Sequence, residues 1–154
     1  MSEIERKFRV ARLPTTGLGE GTPLRQAYVA MEGDVEVRVR SDGTHHALTV
    51  KGGAGLERDE VEVAIDAAAF ADLWRLADAR HLEKTRHRVD LDGLTAELDL
   101  YAGTLAGLAV VEVEFASRRE AEAFEPPDWF GAELTGAPGW SNAALARNGV
   151  PPDA

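Results

Sequence analysis

The chain has 154 residues, 27 acidic and 17 basic side chains, a formal charge of −10, 44% hydrophobic content and no cysteine. That composition suits a packed globular core, and it excludes a disulfide framework, a thiolate zinc site and a thiol nucleophile. The acidic balance argues against a protein built mainly to coat nucleic acid or an anionic membrane. The opening stretch MSEIERKFRV is charged from its third residue and does not read as a secretory or transit leader. No run approaches the roughly 18 apolar residues a membrane helix needs. The expectation is a cytoplasmic protein with one domain over residues 1–149 and a short C-terminal tail, 150–154.

Alternation with period two dominates the chain. Residues 35–40 (Val-Glu-Val-Arg-Val-Arg), 60–65 (Glu-Val-Glu-Val-Ala-Ile) and 110–115 (Val-Val-Glu-Val-Glu-Phe) place apolar side chains on one face and charges on the other. Residues 3–10, 24–30, 45–51, 82–91 and 94–101 fit further strands, which makes eight. Turns are expected at Glu32-Gly33-Asp34, Ser41-Asp42-Gly43 and Asp92-Gly93. Residues 11–23, rich in Pro, Gly and Thr, read as a loop.

Three helices interrupt the strands. Asp66 caps a helix expected to reach Ala79, with Phe70, Leu73, Trp74 and Ala77 on one face. Ser117 and Glu120 form a Ser-x-x-Glu capping box, and Pro126-Pro127 ends that segment. Ser141 caps a short helix closed at Asn148-Gly149. Eight mostly antiparallel strands with few helices give a mainly β (α+β) fold, either a sandwich or a closed barrel.

The charged faces decide between these. Acids recur at i and i+2 in Glu3/Glu5, Glu60/Glu62, Glu97/Asp99 and Glu112/Glu114, and bases in Arg38/Arg40 and Lys84/Arg86, with Arg88 continuing the row. Side chains two apart on a strand lie roughly 6–7 Å from each other on one face, so every such pair repels and needs a partner. An ordinary solvated sheet face would mix Thr, Ser and Gln among its charges. Carboxylates gathered on facing strands suit a hard divalent cation, and Arg and Lys beside them suit a polyanion. A metal–polyphosphate site inside a barrel whose apolar faces point outward satisfies both. Lysine is scarce, with only Lys7, Lys51 and Lys84 among the 17 basic residues.

Glu3-Ile4-Glu5-Arg6-Lys7 matches the N-terminal Glu-x-Glu-x-Lys signature of the CYTH domain, or triphosphate tunnel metalloenzyme, superfamily. The ordered series continues through Gln26-Ala27-Tyr28, Val37-Arg38-Val39-Arg40, Thr49-Val50-Lys51-Gly52 and Arg58-x-Glu60-x-Glu62. It then runs through Lys84-Thr85-Arg86, Glu97-Leu98-Asp99-x-Tyr101, Leu105-Ala106-Gly107-Leu108 and Val111-Glu112-Val113-Glu114-Phe115. The ending, Leu134-Thr135-Gly136 and Ser141-Asn142-x-x-Leu145-Ala146, also resembles the family. Trp140 departs from it, since a Tyr is more usual there. All three lysines fall on motif positions.

The resemblance implies an eight-stranded antiparallel β-barrel, a tunnel with a few peripheral helices that binds triphosphate with Mg²⁺ or Mn²⁺. It implies Arg38, Arg40, Lys51, Lys84 and Arg86 as a phosphate cradle, with Lys7 and Arg88 as further candidates. Glu3, Glu5, Glu60, Glu62, Asp99, Glu112 and Glu114 become the candidate metal shell. Seven carboxylates exceed what one Mg²⁺ takes, so some must orient cations or hold a second ion. Tyr28, Lys51, Glu5 and Glu114 are the candidate catalytic residues, Tyr28 by a hydrogen bond to a lysine such as Lys51. The expected reaction is metal-dependent hydrolysis of inorganic triphosphate to pyrophosphate and phosphate. Thiamine triphosphatase, class IV adenylate cyclase and a non-catalytic polyphosphate-binding module are the alternatives. The expected partner is a small-molecule triphosphate, with no nucleic acid and no membrane, and the sequence leaves monomer and homodimer undecided. No Walker loop and no Gly-x-Ser-x-Gly elbow occurs in the chain.

Overall fold

The computed structural model describes residues 2–152; Met1 and the last two residues of the expected tail lie outside the described residues. The chain runs β1 (Ser2–Val10), β2 (Thr22–Glu32), β3 (Val35–Ser41), β4 (His46–Gly52), β5 (Glu57–Ile65), α1 (Ala67–Leu76), β6 (His81–Leu91), β7 (Leu94–Tyr101), β8 (Ala109–Phe115), α2 (Arg118–Ala123), β9 (Phe130–Glu133) and α3 (Asn142–Asn148). Every strand pairing is antiparallel. The order β5-β4-β3-β2-β6-β7-β8-β1, with β5 pairing back to β1, closes a ring of eight strands. The expected barrel is present, closed where β5 meets β1.

Register explains the sorting of side chains. Tyr28 lies opposite Arg38, Arg38 opposite Thr49, and Lys51 opposite both Glu36 and Glu60. Arg86 faces Asp99, Glu97 faces Glu112, and Lys7 faces Glu112. The period of two therefore carries the paired acid and base rows to the inside of the ring, while Arg6 and Arg25 fall on the outer face. The outward rows supply the apolar packing. α1 lays Phe70, Leu73, Trp74 and Ala77 over Ala27 and Val39, the face expected from its spacing. Ile4, Phe8, Leu98, Val111 and Val113 pack under Phe124, Trp129 and Phe130. Val35, Val61 and Val63 stay exposed on the outer surface. At one end the inward row turns apolar: Tyr28, Leu82, Tyr101 and Val110 are closed over by Leu134, Trp140 and Leu145. Tyr101 Oη donates to Asn142 Oδ1 at 2.5 Å, pinning the start of α3 there.

The caps behave as their residue types require. Asp66, Ser117 and Ser141 each accept a hydrogen bond from the backbone N–H three residues on, and Glu120 returns a bond to the Ala116 N–H. Asp92 and Gly93 both have positive φ, at 54° and 94°, the pairing that a tight two-residue hairpin between β6 and β7 demands. Two differences from expectation have clear causes. α1 stops at Leu76 rather than Ala79, because the Ala77 N–H closes the last turn onto Leu73 and Ala79 takes φ 66°. β9 is an additional short strand on the far side of β1; Phe-Gly-Ala-Glu shows no alternation to announce it. Among the described residues, no helix is long and apolar enough to cross a membrane.

Candidate active site

The barrel interior holds a cavity of about 920 Å³. A second, of about 480 Å³, meets it at Arg40, Arg86 and Arg88, so the interior runs as a tunnel. One wall is basic. Arg38 and Arg40 project from β3 and Arg86 from β6 into the larger cavity. Arg86 is gripped on its far side: Nε and Nη2 donate to the two Asp99 carboxylate oxygens at 2.8 and 2.9 Å, and Nη1 donates to Glu97 Oε2 at 3.1 Å. A bidentate Arg–carboxylate fork of this kind fixes the plane of the guanidinium. Lys84 Nζ stands 2.7 Å from Asp99 Oδ2, with both side chains sealed from solvent. Burial, reinforced by the charge of Arg86, pushes the Lys84 ammonium down to about 8 against the pull of Asp99. Burial would raise Asp99, but Lys84 and Arg86 hold its carboxyl well below the usual range. Arg40 is lowered by burial and by the neighbouring charges of Arg38 and Arg86.

The other wall is acidic, and its carboxylates crowd each other. Glu5 lies directly opposite Glu114, and Glu97 directly opposite Glu112, placements that destabilise a sheet unless something intervenes. The charge of Glu112, then burial, pushes the Glu5 carboxyl up to about 8. A hydrogen bond with Glu3, then burial, pushes Glu60 up to about 7. Burial and the charges of Glu3 and Glu97 also raise Glu114. Burial would raise Glu112 too, but Lys7, Lys84 and Arg86 outweigh it and bring its carboxyl down. Lys51 Nζ donates to Glu3 Oε1 at 2.5 Å, and Lys7 Nζ donates to the Trp140 carbonyl oxygen at 2.5 Å.

Most residues singled out from the sequence meet here. Glu3, Glu5, Lys7, Tyr28, Arg38, Arg40, Lys51, Glu60, Arg86, Arg88, Glu112 and Glu114 line the larger cavity. Three stand apart. Glu62 lines the second cavity and takes a long bond from Thr49 Oγ1, 3.4 Å. Lys84 and Asp99 line neither; they form a sealed pair beside Arg86, whose guanidinium Asp99 orients. Tyr28 is not bonded to Lys51. Its Oη accepts from Gln26 Nε2 at 3.2 Å, and Arg38 is its cross-strand neighbour. Sequence reasoning missed Glu36, paired with Arg58 at 3.6 Å, and left Glu97 out of the site although it stood in an acid pair. It also missed the 134–142 segment, all of which lines the cavity; only Leu134-Thr135-Gly136 and Ser141-Asn142 carried a signal.

The donor set fits a divalent cation. Every candidate ligand is a carboxylate oxygen, the chemistry of Mg²⁺, Mn²⁺ or Ca²⁺ rather than of a soft metal. Glu5 with Glu112, and Glu60 with Glu3, share hydrogen bonds that require one partner of each pair to keep its proton. A cation between them would replace that proton. Among the described residues no three acids already stand at ligand spacing.

Comparison with known proteins agrees with this geometry. The model of the CYTH domain matches residues 1–131. An inorganic triphosphatase of Nitrosomonas europaea is 47% identical over 95% of this chain and 97% of its own. One of Acetivibrio thermocellus is 35% identical over 95% and 94% respectively. A solved inorganic triphosphatase structure superposes with a TM-score of 0.71 at 44% identity, covering 94% of this chain and 97% of that one. A Pyrococcus horikoshii protein shares the fold at a TM-score of 0.58 and 18% identity, covering 78% and 83%. Tunnel, opposed walls and ordered motifs together place the chain in the CYTH domain family, to which it belongs.

Proposed function

We propose that the chain hydrolyses inorganic triphosphate to pyrophosphate and phosphate, with Mg²⁺ or Mn²⁺ as the activating ion. The observation that carries this reading is the opposition of three arginines, Arg38, Arg40 and Arg86, to five carboxylates, Glu3, Glu5, Glu60, Glu112 and Glu114, across one cavity. The inorganic triphosphate, rather than a nucleoside or thiamine ester, follows the two full-length relatives of that name.

Phosphoryl transfer asks the protein mainly for positioning and charge stabilisation. Arg38, Arg40 and Arg86 bind the phosphoryl oxygens. Asp99 and Lys84 hold Arg86 in place, so that its fork does not reorganise as charge develops. Lys51, carried to the acidic wall by Glu3, bridges the two walls. Glu3, Glu5, Glu60, Glu112 and Glu114 would hold the metal, which when bound neutralises phosphate charge and lowers the pKa of an attacking water. Glu5 or Glu114 orients that water and accepts its proton on a carboxylate oxygen. The water oxygen forms a bond to the terminal phosphorus as the bridging P–O bond breaks, and pyrophosphate leaves with the electron pair. Turnover of tripolyphosphate, ATP and thiamine triphosphate, measured side by side with Mg²⁺ and with Mn²⁺, tests the reading. Tripolyphosphate should be hydrolysed fastest, and a higher rate on either ester would overturn the assignment.

A further inference from the structure

Arg58 belongs to neither the arginine cradle nor the metal shell described above, yet it lines the larger cavity. It is the second residue of β5 and lies opposite Glu3 on β1. Two positions before Glu60, it shares the inward row of that residue. Beside it the 53–55 loop and the 33–34 turn line the same cavity, so Arg58 stands at a mouth of the tunnel.

A guanidinium carries five N–H donors in a fixed fork. Arg86 uses all three of its nitrogens on Asp99 and Glu97. Arg58 uses one: Nε donates to the Gly53 carbonyl oxygen at 2.8 Å. Its Nη1 stands 3.6 Å from Glu36 Oε1, an ion pair beyond hydrogen-bond reach. Among the described residues the two Nη nitrogens have no acceptor within hydrogen-bond distance, and the side chain is only 18% exposed. A cation drawn this far from water, anchored at Nε and open at the fork, is prepared for an anionic ligand.

The level of Arg58 in the tunnel says which part of that ligand it meets. Along β3 the inward row runs Glu36, Arg38, Arg40, its successive members roughly 6–7 Å apart. Arg40 stands where the two cavities meet, and Arg58 lies level with Glu36 through their ion pair. Arg58 therefore extends the cations Arg40 and Arg38 outward to the mouth. A triphosphate laid along that row brings a terminal phosphate to Arg58. In inorganic triphosphate this group presents a charged oxygen; in an ester pointing out of this mouth, the organic substituent takes the place of that oxygen.

We propose that Arg58 is a specificity-determining residue: its open fork binds the terminal phosphate at the mouth and favours inorganic triphosphate over its esters. The proposal rests on the triphosphatase reading above and makes the mouth, as well as the arginine cradle, select the substrate.

The test compares the wild type with R58M, which keeps the stem and removes the charge, and with R58K, which returns a point charge. Turnover of tripolyphosphate and of ATP is measured with Mg²⁺, and the affinity for each in EDTA by calorimetry. R58M should lose at least about tenfold in kcat/KM and in affinity for tripolyphosphate, the worth of a hydrogen bond to a charged group. ATP should lose far less, so the preference for tripolyphosphate should fall by about tenfold, and R58K should lie between R58M and the wild type. Equal losses on both ligands would show that Arg58 only holds the Gly53 carbonyl, and would overturn the proposal. So would an R58M that keeps the wild-type preference. If the wild type binds tripolyphosphate without cleaving it, the triphosphatase reading fails, and the affinities in EDTA still judge Arg58. A wild type that binds neither ligand overturns both.

Discussion

The two walls of the tunnel solve the same problem, like charges held side by side, in different ways. On the basic wall two of the cations, Arg86 and Lys84, share one fixed partner. Arg86 is forked onto Asp99, and Lys84 is sealed against the same carboxylate. On the acidic wall the carboxylates lean on one another, and Glu5 and Glu60 keep protons well above the ordinary carboxylate range. The Arg86–Asp99–Lys84 cluster of the basic wall is complete within the fold, whereas the acidic wall is balanced only by retained protons or by a cation. A wall balanced internally should be costly to break and insensitive to metal; a wall balanced from outside should be cheap to break and sensitive to it.

The largest effect should come from the basic wall's support. Asp99→Ala leaves Lys84 and Arg86 without their shared carboxylate in a buried place, a change worth about 3–5 kcal/mol. Denaturant unfolding should show that loss with or without Mg²⁺. On the acidic wall, Glu112→Gln keeps the shape and removes a charge. Turnover should drop by about a hundredfold or more, equivalent to ~2.7 kcal/mol of transition-state stabilisation, while metal-free stability holds. Phosphate release and thermal melting on the same preparation check both halves.

A smaller effect is expected from one phosphate contact. Arg40→Ala should weaken tripolyphosphate binding by about 1.5–3 kcal/mol, seen by calorimetry. Arg147→Ala, in the last turn of α3, should leave it unchanged because exposed charges are screened beyond roughly 8–10 Å. Lys84→Ala should lower affinity only by loosening Arg86, since Lys84 lies outside the cavity.

The smallest and most diagnostic effect is on pH dependence without metal. Glu5 and Glu60, ordinarily near 4.5, titrate in the fold at about 8 and about 7. Between those values the folded state holds protons that the unfolded chain has released, so stability falls as pH rises through that window. The metal-free melting temperature should therefore decline from about pH 5 to about pH 8. Mg²⁺ should flatten the decline, and Glu5→Gln should remove its upper part. A melting temperature that rises across the window would show that no acidic pair retains a proton.

The sequence carried the barrel almost whole because period two and the caps are local signals. Val35-Glu36-Val37-Arg38-Val39-Arg40 states which side chains share a face, and the ring turns that face inward. It does not state depth. Lys84 and Arg86 alternate identically on β6, yet one is sealed and the other lines the cavity, because Lys84 lies nearer the apolar end, opposite Tyr101. Partner choice was equally hidden. The Lys51 Nζ contact is with Glu3, 48 residues away, and only closure of the ring through β5 and β1 brings the two together. The Gly-containing β9 and the 134–142 segment had no periodicity to read.

The closing joint itself bears on how the chain acquires its shape. β1 meets β5 over just three residue pairs, Ser2–Asp59, Glu3–Arg58 and Ile4–Glu57, and then pairs with β8 and β9, whose residues run from position 109 on. During synthesis β1 leaves the ribosome early and then waits for more than a hundred residues before its main neighbour exists. Hairpins β2–β3, β3–β4, β4–β5 and β6–β7 can form from adjacent chain in that interval. The ring therefore closes last and over the longest sequence separations, the arrangement associated with slow folding. Until it closes, the signature carboxylates Glu3 and Glu5 stand on an unpaired strand, where their charge also discourages that strand from joining another chain.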